Sequence, residues 1–111
     1  MSAFTEAIES YKEQMTELGI AIDEALLTAV TKGLGPSIYN EDSKLVAASD
    51  QEELDRVKNN FLVGKLGLAD GPDLVAAVAE VAAQMKPVRR KYRAVFYYLL
   101  VKKFGKESFY A

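Results

Sequence analysis

The sequence predicts an all-α protein, and three observations carry that prediction. Apolar residues recur at three- and four-residue spacing through most of the 111 residues, glycine and proline punctuate them about one helix apart, and the run Ala94 to Val101 is apolar on every side. A compact array of about five helices follows, the last of them central, with one irregular segment from Pro36 to Ser49. The length suits a single domain, 1–111, and half the residues are hydrophobic, enough for one contiguous core.

The first helix rests on Phe4, Ala7, Ile8, Tyr11, Met15 and Leu18, with Glu6, Glu9, Glu13 and Glu17 between them and Gly19 as its stop. Asp23 is placed to cap a second helix carrying Leu26, Leu27, Val30 and Leu34, with Ile22 positioned to staple onto Leu27 and Gly33, Gly35 and Pro36 ending it. The segment that follows opens with turn formers and ends in a short extended stretch, Leu45 to Ala48. Asp50, with Glu53 three residues on, has the form of a capping box for a third helix that buries Leu54, Val57, Phe61 and Leu62 and closes at Gly67.

Pro72 suits the first turn of a fourth helix, where its missing amide is not needed, and Leu74, Val78, Val81 and Met85 then repeat helically. Its alanines at 76, 77, 79, 82 and 83 are expected to let a neighbouring helix approach closely. Pro87 interrupts the chain, and the last helix is expected over Val88 to Phe104, with Phe96, Tyr97, Tyr98 and Phe104 as core packing. Phe109 and Tyr110, beyond Gly105, either fold back or face a partner.

Composition excludes several chemistries. The chain has no cysteine and no histidine, which removes disulfides, thiolate nucleophiles, imidazole bases and the usual zinc sites. No catalytic residue, metal ligand or cofactor is assigned, and an enzyme would have to work through carboxylates and lysines alone. Carboxylate neighbours such as Glu52 and Glu53 point in different directions on one helix and propose no acid/base dyad. The longest apolar run, eight residues, is too short to cross a bilayer, and the N-terminal stretch lacks a basic and apolar leader, so a cytoplasmic protein is expected.

Leu45-Val46-Ala47, Ser49-Asp50, Glu53-Leu54, Val57, Asn60-Phe61 and Lys65 to Leu68, then Met85-Lys86, Arg89, Arg93, Val95 to Leu100 and Phe104-Gly105, together resemble an uncharacterised family of small bacterial proteins, domain of unknown function 2853. The resemblance spans roughly Gly19 to Gly105. It implies a bacterial, cytoplasmic, all-helical protein and carries over no activity, cofactor or catalytic residue.

Charge is the least even feature. Residues 86–106 hold eight cations and no acid, whereas residues 1–85 hold six cations against fifteen acids. Cations in the first turns of the last helix would oppose its macrodipole, so a compensating anion is expected nearby. One reading supplies it from the stripe Glu9, Glu13, Glu17, relieved of its own repulsion by Arg89 and Arg93 docking alongside. Another makes Arg89, Arg90, Lys91 and Arg93, with Tyr92 as a stacking face, a phosphate or single-stranded nucleic-acid surface. The acidic overall balance disfavours nucleic acid, and a third reading pairs the cations with another protein or a second copy.

Two further motifs are read as structural. Asn40-Glu41-Asp42-Ser43 lacks the ligand spacing of a calcium loop and is expected to be a solvated turn. Gly33-x-Gly35 and Gly105-Lys106 follow helices and are expected to be stops, not phosphate loops. The expected function is thus a small non-catalytic interaction or regulatory module, with a homodimer or another protein as its partner and phosphate or nucleic-acid binding as the alternative.

Overall fold

A computed structural model describes residues 2–41 and 43–110. Five helices follow one another: α1 (Ala3–Glu17), α2 (Glu24–Leu34), α3 (Gln51–Arg56), α4 (Pro72–Gln84) and α5 (Arg93–Phe104). Single 3₁₀ turns follow α2 (Gly35–Tyr39) and α5 (Glu107–Tyr110), and a π-helical segment, Val57–Val63, continues α3. The described residues contain no strand beyond one antiparallel bridge, Leu45 to Tyr92. The Cα radius of gyration, 13.0 Å, is what a folded chain of this length should have, about 13 Å.

The last helix is central. Every residue of α5 from Ala94 to Val101 is buried, because α2, α4 and α1 pack around it and leave no face for solvent. Its two polar core side chains are anchored. The Tyr98 hydroxyl donates to the Ala21 carbonyl (3.0 Å) and accepts from the Asp23 amide (2.9 Å), tying the α1–α2 connection to the core. Tyr97 stacks on Phe61 at 3.9 Å between ring centroids and 16° between planes. Gly105, at φ 63°, adopts the left-handed C-cap that ends α5, and Lys102 and Lys103 in the last turn favour its dipole.

Several expectations are corrected. The final helix begins at Arg93, five residues later than the apolar pattern suggests, because Pro87 to Lys91 form an irregular turn. Gly33 is the last residue but one of α2, and Gly35 is its C-cap, so the helix ends where the glycines place it. At Gly33 a Cβ would come within 2.9 Å of Lys65 Nζ, which donates to the Gly33 carbonyl (3.0 Å) and lies over the Tyr110 ring. Ile22, expected to staple onto Leu27, is 39% exposed, while Leu27 is fully buried. Of the alanines in α4, only Ala77 is buried and Ala82 half-buried, while Ala76, Ala79 and Ala83 face solvent.

The third helix also departs from its expected form. Asp50 caps it by accepting from the Glu52 amide (3.0 Å), but Glu53 does not complete the capping box. Its carboxylate turns instead to Arg56 and Arg93. Val57, Phe61 and Leu62 are buried as expected, and Leu54 is half-buried. The π turn that carries them is not visible in apolar spacing. Tyr110 folds back over α2, whereas Phe109 stays 48% exposed. Asp42 of the oxygen-rich turn lies outside the described residues.

Candidate functional site

The segment 85–92 is shaped by which of its side chains can be buried. Met85 and Val88 are buried, whereas Lys86, Pro87, Arg89 and Arg90 point to solvent. Pro87 has no amide to extend α4, and the turn closes through the Val88 amide on the Met85 carbonyl (3.1 Å). The chain then runs extended against the irregular segment. Val46 donates to the Lys91 carbonyl and Arg93 to the Lys44 carbonyl, both at 2.8 Å.

Gln14 holds this segment against α1. Its amide nitrogen donates to the Arg90 carbonyl (2.5 Å) and its oxygen accepts from the Tyr92 amide (3.2 Å), so a buried side chain reproduces the two bonds a strand partner would make. Tyr92 meets Tyr11 edge-on at 5.1 Å. Burial first, then neighbouring Tyr92 and Tyr39, pushes the Tyr11 hydroxyl up to about 12. The sequence carried a signal for Gln14: an amide in the stripe of Tyr11, Met15 and Leu18 needs a buried partner. Replacing Gln14 by leucine should strand both backbone groups and cost about 1–3 kcal/mol in urea unfolding.

The basic cluster does not act as one surface. Arg93 turns inward, its side chain only 15% exposed, and four donors are used. Nε donates to the Ser43 carbonyl (2.6 Å), Nη1 to the Tyr97 hydroxyl (3.1 Å), and Nη2 to the Leu45 carbonyl (3.1 Å) and the Glu53 carboxylate. Lys91 Nζ is bound to the Val88 carbonyl (2.7 Å). Arg89 and Arg90 remain exposed and form no ion pair among the described residues. The anion that faces the start of α5 is therefore Glu53, not the α1 stripe, and Arg93 does not dock on that stripe.

Glu53 is as enclosed as its partner, with its side chain 13% exposed. Burial alone would raise its carboxyl, but hydrogen bonds and charge from Arg56 and Arg93 outweigh that and hold it below the usual carboxylate range. A carboxyl depressed in the folded state stabilises fully above its unfolded value, near 4.5, and loses that contribution as pH falls through the lower folded value. Urea midpoints of the wild type and Glu53→Gln should accordingly differ most near neutrality and converge below pH 4.5. A difference unchanged with pH would remove this assignment.

The stripe on α1 meets the turn across an open groove. Ser10, Glu13, Gln14 and Glu17 form one wall and Pro87, Val88, Arg89, Arg90 and Tyr92 the other, around a volume of about 380 Å³. Glu9 lies off this wall and pairs with Lys12, which also reaches Glu24 at 3.1 Å. A smaller depression of about 240 Å³ continues from Ser10 and Tyr92 to Tyr11, Ile38, Tyr39 and Lys44. Acidic and basic walls, with exposed tyrosine beyond, give a surface for charged and aromatic contacts.

A protein-family comparison matches residues 10–108 to the family described as a protein of unknown function, DUF2853. The chain belongs to that family. The match takes in every residue that lines the larger groove, on α1 from Ser10 to Glu17 and on the 85–92 turn, together with Arg93 and Glu53. No curated protein matches this DUF2853 chain. Among the described residues, no helix is long and apolar enough to cross a membrane.

Proposed function

We propose that this DUF2853 protein is a small non-catalytic interaction module of the bacterial cytoplasm, docking through the groove between α1 and the 87–92 turn. The observation that carries the reading is the division of the basic cluster. Arg93 is consumed by the fold, whereas Arg89 and Arg90 are held out at the groove opposite Glu13 and Glu17. Arginine and tyrosine at a rigidly supported surface are what protein interfaces favour. A cysteine-free chain suits a reducing compartment. The buried carboxylate that an enzyme would most readily use, Glu53, is committed to two arginines.

A phosphate or nucleic-acid surface is the weaker reading, since two of its four cations are occupied and the remaining two face carboxylates. Photo-crosslinking in cells tests the docking face. A crosslinking residue placed at Glu13 or Arg90 should give discrete protein adducts, and one at Ala83, exposed on α4, should not. Adducts of equal yield at all three positions, or none at the groove, would remove the proposal.

A further inference from the structure

We infer that the occupant of the groove is a second copy of this chain, related by a two-fold axis through the groove. The inference rests on the docking face proposed above and adds the identity of its partner. Glu13 and Glu17 stand on one wall and Arg89 and Arg90 on the other, two charges of each sign, all exposed. An acidic partner would use only the arginines, and a basic one only the glutamates. A surface with equal and separated halves is complementary to itself when turned through 180°. Each half then meets its opposite twice, as an isologous interface requires.

The neighbouring depression extends the same face with Tyr39, 51% exposed, and Tyr92, residues suited to contact across the axis. The positive wall is also preorganised. The Arg90 carbonyl and Tyr92 amide are fixed on Gln14, so the arginines project from a backbone that is already ordered before association. Association through exposed charges is expected to be salt-sensitive, because such contacts are screened over about 10 Å at 0.1 M ionic strength.

The test is sedimentation equilibrium or native mass measurement of two charge-reversed double variants, alone and mixed. Glu13→Arg with Glu17→Arg, and Arg89→Glu with Arg90→Glu, should each be monomeric, since like charges then face each other across the axis. Mixed in equal amounts they should form a heterodimer, and the wild-type dimer should weaken at least about tenfold between 50 and 500 mM salt. All four positions are exposed, so folding should persist. The wild-type salt series reads the same contact without any substitution.

A wild-type monomer at low salt, or double variants that remain monomeric when mixed, would overturn the inference. Groove crosslinks to another protein with no self-adduct would also overturn it, while leaving the docking face intact. The absence of any groove crosslink would overturn both.

Discussion

Replacement of Arg93 by alanine is expected to destabilise the protein by about 3–5 kcal/mol in urea unfolding, among the largest effects of any single substitution. The guanidinium joins three parts of the chain: the irregular segment at Ser43 and Leu45, α3 at Glu53, and α5 at Tyr97. Its removal leaves the half-buried Glu53 carboxylate with Arg56 alone and two enclosed carbonyls without their donors. Arg93→Lys should recover only part of the loss. An ammonium keeps the charge but cannot serve a carboxylate, a hydroxyl and two carbonyls with a planar fork. By contrast, for the monomer at high salt, Arg89→Ala and Arg90→Ala should each fall within about 0.5 kcal/mol of wild type, as exposed positions without an ion pair in their own chain do. A loss at Arg93 no larger than at Arg90 would contradict its assignment.

Phe61→Ala should cost a similar amount, about 3–5 kcal/mol, for a different reason. Phe61 is 3% exposed and carried by the π segment, where it stacks on Tyr97, and the Tyr97 hydroxyl in turn accepts from Arg93. Truncation removes the ring's burial and opens a void between the π segment and α5. It also releases the ring that positions one of the Arg93 acceptors. Phe61→Leu should cost less, since most of the volume is kept. Double-mutant measurement of Phe61→Ala with Arg93→Ala should show losses that do not add, because both act on Tyr97.

The large elements were legible because they follow from burial alone. The unbroken apolar run Ala94 to Val101 can be satisfied only by a helix surrounded by others, and α5 is that helix. The spacing of Tyr11, Met15 and Leu18 likewise fixed the inner face of α1. What was not legible depends on long-range hydrogen bonding, to which periodicity is blind. Arg89 and Arg93 are four residues apart and, on a helix, would share a face. The turn at Pro87 to Lys91 breaks that relation, sending one outward and the other into the fold. Glu53 had the position of a capping-box glutamate, but a charge-assisted pair with arginine outweighs a bond to a helix-end amide. The π turn at Val57–Val63 was invisible for a related reason, since it preserves an apolar face while changing the register along it.

The groove was half visible. Glu13, Glu17, Arg89 and Arg90 all stood out as charges needing partners, and they do line one feature. Their setting depends on Gln14, which charge patterning does not single out. Its side chain decides where the 90–92 backbone lies, and thereby which arginines face solvent.

Hydrogen exchange at the arginine Nε–H groups, read from a ¹⁵N correlation spectrum near neutral pH, tests this division most directly. Arg93 Nε–H, bonded at 2.6 Å to the Ser43 carbonyl and enclosed, should exchange far more slowly than those of Arg89 and Arg90, which lie open to water. One protected signal, lost in Arg93→Lys, is the predicted result. Comparable exchange at all three, or protection at Arg89 or Arg90 of the monomer in place of Arg93, would contradict it.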